Sequence, residues 1–232
     1  MNLSGRTALV TGGGRGIGLA IAQTLAFNGA MVGVGDLVAP DVPGLFGMRM
    51  DVTDQASVDQ AVAGFEEAHG PVDILVCNAG IYRVQALSEI TREDWDTVLA
   101  VNLTSVFLCA QRVLPAMAER GYGRVIIMGS SAGKTGGARD TLAYAAAKAG
   151  AMAVAKGLAK QFAASGVTVN ALAPALIDTP MISDMRDFVK FIPVGRLGQP
   201  QDIADLVAFL ASDRSSYITG EVVDINGGFL ID

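Results

Sequence analysis

Seven short aliphatic runs, spaced by longer helical patterns, set the tightest limit on what this chain can fold into. The runs are Thr7–Thr11, Met31–Asp36, Gly47–Asp51, Ile74–Asn78, Arg124–Gly129, Thr168–Pro174 and Val222–Asn226, and most are continuous rather than alternating. A strand that is apolar on both faces must be covered on both, as in a parallel sheet wrapped in helices. Helical patterns lie near 16–28, 53–69, 91–120, 142–165 and 200–212. Thr91, with Asp94 three residues on, predicts a capping box, and Pro200 suits the first turn of the last long helix. The pattern predicts one doubly wound α/β domain spanning 1–232, a seven-stranded parallel sheet with helices on both faces.

One connection breaks the rhythm. Between Asp36 and Asp51 the chain reads LVAPDVPGLFGMRM. A crossover between parallel strands needs about a dozen residues and is usually helical, and Pro40 and Pro43 oppose a helix. The expectation is a shortened crossover between strands 2 and 3, an extended loop or one short turn.

The glycine loop that follows the first strand narrows the chemistry. TALVT runs into Gly12-Gly13-Gly14-Arg15-Gly16-Ile17-Gly18 and then into LAIAQTLAF. Between a strand and a helix, such glycines let the backbone approach a pyrophosphate at the positive helix N-terminus. Asp36, at the end of the second strand, stands where an acid accepts hydrogen bonds from ribose hydroxyls. Its charge would repel a 2′-phosphate, and Leu37 offers that phosphate nothing. Arg15 cuts the other way. NAD is expected rather than NADP.

Composition excludes several alternatives. A hydrophobic share of 51% and a positive mean hydropathy raise the question of a membrane span, but lysines 148, 156 and 160 interrupt the apolar stretch 142–162. A formal net charge of −6 argues against a nucleic-acid surface. MNLSGRTALVTGG leads straight into strand and loop with no room for a signal peptide. Cys77 and Cys109 lie in apolar segments and read as buried thiols of a reducing compartment. A cytoplasmic protein without membrane or nucleic-acid partners is expected. His69, the single histidine, ends a helix before Gly70-Pro71 and reads as a solvated cap residue. No metal site is expected, because too few His and Cys are present.

The segment LAYAAAKAG, 142–150, sets Tyr144 and Lys148 four residues apart, on one side of a helix. Taken alone, the pair reads either as a phenol activated by a cation or as a half-buried aromatic beside a surface charge. The former needs a substantial effect. Lowering a tyrosine by about three pKa units takes roughly 4 kcal/mol of preference for the phenolate.

With TGGGRGIG at 11–18, Asp51-Val52, CNAG at 77–80, Asn102, Ser130 or Ser131, Tyr144 to Lys148 and the segment Pro174 to Thr179, the chain resembles the short-chain dehydrogenase/reductase family over nearly its whole length. The resemblance implies a Rossmann-type fold, hydride transfer with a nicotinamide cofactor, and catalysis by Tyr144 as acid/base. Lys148 would lower the Tyr144 pKa and hold the nicotinamide ribose, and Asn102 would anchor water in a proton relay. A serine would orient the substrate oxygen: Ser130, which has Gly133 and Gly136 after it, is preferred to Ser131. The cofactor would contact Gly12, Gly14, Arg15, Gly16, Ile17, Gly18, Asp36, Leu37, Asp51, Val52, Asn78, Ala79, Gly80, Tyr144, Lys148, Pro174, Ile177 and Thr179. Two departures stand out. The family's NNAG reads CNAG, and its PG reads Pro174-Ala175, where alanine removes tolerance for positive φ.

Arg83, Arg139, Asp140 and Thr141, read as lying near the pocket mouth, suggest a small polar substrate such as a sugar, polyol or hydroxy acid. The alternatives are a 3-oxoacyl-acyl-carrier-protein reductase and a non-catalytic dinucleotide-binding protein. Residues 180–193 would form a short substrate lid. Val106, Phe107, Ala151, Met152 and Val154, with the apolar tail 227–231 after an edge strand, predict a homotetramer, or failing that a dimer.

Overall fold

The computed structural model describes residues 1–231, and for 181–186 the backbone alone. Seven parallel strands form one sheet in the order β3-β2-β1-β4-β5-β6-β7. They are β1 (Thr7–Thr11), β2 (Met31–Asp36), β3 (Phe46–Arg49), β4 (Ile74–Cys77), β5 (Gly123–Met128), β6 (Val167–Pro174) and β7 (Val222–Ile225). Strands β1, β4, β5 and β6 are buried along their whole length, which is why their sequences do not alternate.

Helices cover both faces. They are α1 (Gly16–Phe27), α2 (Gln55–His69), α3 (Arg92–Leu99), α4 (Ser105–Arg120), the one-turn α5 (Ala132–Thr135), α6 (Leu142–Phe162) and α7 (Pro200–Ala211). One core layer joins Phe65 of α2, Val113, Leu114 and Met117 of α4 and Ala155 of α6 to the sheet. The other joins Ile21 and Leu25 of α1 and Ile203 and Val207 of α7 to the opposite face. The capping box expected at Thr91 and Asp94 is present, and Pro200 occupies the first turn of α7. The run Arg92–Arg120 is long and apolar enough by length and composition to cross a membrane. Here it is a core helix, with Val98, Val106, Cys109 and Val113 buried.

The pattern near 91–120 predicts one helix, but the chain changes pitch inside it. Residues Ala100–Thr104 form a π-helical turn between α3 and α4, centred on the buried Asn102. Such turns arise where a side chain competes for backbone groups, and the Asn102 amide donates to the Val98 carbonyl at 3.0 Å. The connection 37–45 carries no helix, as the two prolines require. It folds back over β3 so closely that a Cβ on Gly47 would stand 1.9 Å from the Pro40 oxygen. Only glycine fits there.

Two expectations fail on packing grounds. His69 is not a solvated cap. Its ring lies edge-on to Phe46 at 4.9 Å and tilted against Phe65 at 5.2 Å, and Nε2 is buried without a partner. Val106, Ala151 and Met152 do not form a second face but belong to the core beside the sheet; Phe107, 51% exposed, does point outward. Cys77 and Cys109 are both buried and free.

Candidate active site

The chain steps from β1 to β2 to β3 in one direction and returns to place β4 on the other side of β1. That reversal opens a crevice at the carboxyl ends of β1 and β4, where loops bind ligands in sheets of this kind. The glycine loop lines one wall. Asn78 staples it to β4: its side-chain amide donates to the Thr11 and Gly12 carbonyls, each at 3.0 Å, while Thr11 Oγ1 accepts from the Asn78 and Ala79 backbones. The Asn78 side chain is therefore spent on the loop rather than free for a ribose. Ala79 lies so close that a Cβ on Gly12, itself at φ 63°, would stand 2.8 Å from its Cα.

These residues fit a dinucleotide. No side chain caps the N-terminus of α1 and no acid sits in its first turn, so its N–H groups remain available to an anion. Asp36 Oδ2 accepts from Gly14 N at 3.1 Å and Oδ1 from Leu37 N at 2.8 Å, which pins the carboxylate at the rim of the loop. Leu37 and Arg15 are exposed beside it. Asp51 accepts from the Thr53 hydroxyl at 2.7 Å and the Thr53 N–H at 2.9 Å, bonds that hold its carboxyl below the usual range. Val52 is buried next to it. Across the crevice, Pro174 closes β6 and its carbonyl accepts from Ser131 N at 2.9 Å. Ala175 avoids the left-handed region, since Asp140 is the one described non-glycine residue at positive φ. Ile177 is buried in a bridge to Gly198, and a Cβ on Gly16 would meet Thr179 Cγ2 at 3.9 Å.

On the other wall, α6 carries Tyr144 and Lys148. It sits close to the end of β5 because Gly129 and Gly133 present no side chain: a Cβ on Gly133 would come within 2.6 Å of the Ala149 nitrogen. Lys148 is buried and its Nζ donates to the Met128 carbonyl at 2.7 Å, tying α6 to β5 two residues before Ser130. The Ser130 hydroxyl faces the Tyr144 phenol closely enough to favour its ionised form, and accepts from Ala132 N at 3.1 Å. Ser131 instead gives its backbone N–H to Pro174 and its carbonyl to Thr135 Oγ1 at 3.1 Å. The two serines thus face different partners.

Burial governs the protonation of the pair. It pushes the Tyr144 phenol up, and the Ser130 hydroxyl only partly opposes this. Burial also pulls Lys148 down to about 8. The Lys148 ammonium points at Met128 and lies 5.8 Å from the Tyr144 ring centroid. Asn102 is likewise committed. Its amide donates to the Ile81 carbonyl at 3.0 Å, and Oδ1 accepts from Ile81 N at 3.2 Å. Asn102 and Lys148 converge at Gly80, where a Cβ would stand 2.8 Å from Asn102 Oδ1 and 3.5 Å from Lys148 Nζ.

Arg83 and Arg139 do not furnish a polar pocket. Arg83 is ion-paired with Asp94, the residue that also closes the cap of α3, and Arg139 stands in solvent beside Asp140. Thr141 is buried and bonds the Ala138 carbonyl at 2.7 Å. The backbone of the expected lid is a 3-10 run, Pro180–Phe191; the side chains of 181–186 lie outside the described residues. One site residue was missed. Tyr82 stands edge-to-face on Tyr144, with ring centroids 5.0 Å apart at 86°. Its only sequence signal was an aromatic two residues beyond CNAG.

Comparison with known proteins follows the same outline. Residues 12–230 match the family model described as enoyl-(acyl carrier protein) reductase. The chain is 42% identical over 244 residues to the 3-oxoacyl-[acyl-carrier-protein] reductase FabG of Escherichia coli (strain K12), covering 98% of each chain. It is 42% identical over 228 residues to the 3-oxoacyl-[acyl-carrier-protein] reductase MabA of Mycobacterium tuberculosis (strain ATCC 25618 / H37Rv), covering 96% of this chain and 92% of that one. Such likeness over a whole chain, on a parallel sheet with a glycine loop at its switch point, leaves one assignment: the protein belongs to the short-chain dehydrogenase/reductase family and is an oxidoreductase acting on CH–OH groups.

Proposed function

We propose that the protein reduces the ketone of a 3-oxoacyl thioester, with NADH as reductant. The relatives' names support the substrate class. The pairing of Arg83 with Asp94 and the solvent exposure of Arg139 speak against the sugar or polyol expected from sequence. The observation that carries the reading is the grouping of Tyr144, Lys148 and Ser130 at the end of β5, where Lys148 Nζ donates to the Met128 carbonyl at 2.7 Å and stands 5.8 Å from the Tyr144 ring centroid; burial keeps the phenol above its ordinary pKa. A phenol that stays protonated at neutral pH is poised to give a proton to a developing alkoxide. Bound nicotinamide supplies the hydride. Ser130 orients the ketone oxygen and Tyr144 donates the proton. Lys148 fixes α6 on β5, and so the phenol on the serine. Asn102 holds the Gly80–Ile81 turn in place. The Asp36 carboxylate, pinned by two N–H groups, supports NADH over NADPH, since it cannot swing away from a 2′-phosphate.

The apolar groove between α4 and α6 supports assembly of copies through this face. It has a volume of about 220 Å³ and is lined by Phe107, Leu114, Val154, Leu158 and Phe162 among others. Phe107 is half exposed there, and Ile231 stands exposed beyond the edge strand β7. A tetramer of two-fold pairs is the proposed state.

Initial rates with acetoacetyl thioester test the activity, using NADH and NADPH in parallel and a crotonyl thioester and polyols as competing substrates. Fastest turnover of the 3-oxo thioester with NADH is expected. Turnover of polyols without the thioester would overturn the substrate class, and reduction of crotonyl thioester alone would point to carbon–carbon double bonds.

A further inference from the structure

We propose that Tyr82 is a positioning residue for the proton donor: its ring, locked from both sides, sets the angle of the Tyr144 phenol toward Ser130. The proposal rests on the reading of Tyr144 as the acid.

The contact itself is specific. The two rings meet at 86° with centroids 5.0 Å apart, the edge-to-face arrangement that a ring quadrupole favours. Both residues are half-buried, so the contact shields one side of the phenol from water.

What distinguishes Tyr82 from an ordinary neighbour is how its backbone is held. On its N-terminal side, Asn102 grips both ends of Ile81: Oδ1 accepts from its N–H at 3.2 Å and the amide donates to its carbonyl at 3.0 Å. Ile81 and Tyr144 pack on the same small cluster of Val98, Ala143 and Ala147. On the C-terminal side, Arg83 is ion-paired with Asp94 in the cap of α3. Gln85 N donates to the Asp140 carbonyl at 2.7 Å, which clasps the segment to the loop just before Tyr144. Asp140 itself stands at φ 63°. The π-helical turn, the cap of α3 and the loop before α6 thus converge on the segment 81–85 that carries this ring. A side chain whose flanking residues are fixed in this way can hold another within the narrow angles that proton transfer requires.

Removing the ring has a consequence that loss of packing alone does not. The phenol becomes hydrated on that side, and since burial is what raises it, its pKa falls. In the reductive direction the acid form then disappears at lower pH.

The test compares Tyr82→Phe, Tyr82→Ala and Tyr144→Phe with the wild type, on the ketone that the wild type reduces best. Tyr82→Phe keeps the ring and is expected to retain kcat and its pH profile. Tyr82→Ala is expected to lose about tenfold in kcat at unchanged KM, with the basic limb of the profile moved to lower pH. NADH binding, followed by fluorescence, is expected to be intact in all three, which separates the effect from misfolding. Superimposed pH profiles for Tyr82→Ala and wild type would overturn the proposal, as would a Tyr82→Phe variant as impaired as Tyr82→Ala. Full activity in Tyr144→Phe overturns both readings. A wild type that ignores thioesters but reduces another ketone overturns only the substrate class, and the same comparison on that ketone decides Tyr82.

Discussion

Lys148 donates to the Met128 carbonyl at 2.7 Å, which ties α6, with Tyr144 one helical turn before the lysine, to the end of β5 two residues before Ser130. The buried ammonium is therefore part of the clamp that sets the serine–tyrosine distance. Its low pKa makes this measurable. A lysine depressed to about 8 in the fold and near 10.5 when unfolded binds fewer protons folded than unfolded between those values. Stability from this group thus rises with pH across pH 8 to 10.5, by about 3 kcal/mol in all. Urea unfolding of wild type and Lys148→Met over that range isolates it. The wild type is expected to gain on the variant as pH rises, and parallel curves would remove the claim.

Ser130→Ala and Ser131→Ala separate the two adjacent serines. Ser130→Ala removes the hydroxyl that faces Tyr144 and is expected to cost about a hundredfold or more in kcat. Ser131 acts through its backbone, which alanine keeps, so Ser131→Ala is expected to stay within a few-fold of wild type. Steady-state kinetics at one pH decide between them.

Asp36→Ala should change cofactor preference rather than chemistry. Losing the carboxylate removes repulsion of a 2′-phosphate and two ribose acceptors together. The ratio of kcat/KM for NADPH to that for NADH is expected to rise on the order of a hundredfold, about 2.7 kcal/mol. An unchanged ratio would show that Asp36 serves only the glycine loop.

Phe107→Arg places a charge on the exposed apolar ridge of α4. Because the residue is half exposed, the fold should tolerate it, with Tm nearly unchanged if the chain is monomeric. Sedimentation is expected to show a smaller species than wild type, and an unchanged mass would exclude this face from the assembly.

What the sequence determined by itself is what depends on local pattern. Continuous aliphatic runs marked the seven strands to within two residues at either end, because a strand covered on both faces has no room for polar alternation. The glycine loop was legible from steric need, and the prolines of 37–45 excluded a helix there. What only the tertiary structure decided depends on partners far apart in the chain. Arg83 read as a pocket residue until Asp94 claimed it, and nothing in the sequence tied Lys148 to the Met128 carbonyl. His69 read as solvated until Phe46 and Phe65 enclosed it. Tyr82 carried no motif at all. Its place beside Tyr144 follows from a π-helical turn, a helix cap and a loop that meet only once the sheet is formed, and side-chain polarity in a sequence cannot tell which of several possible partners folding brings within reach.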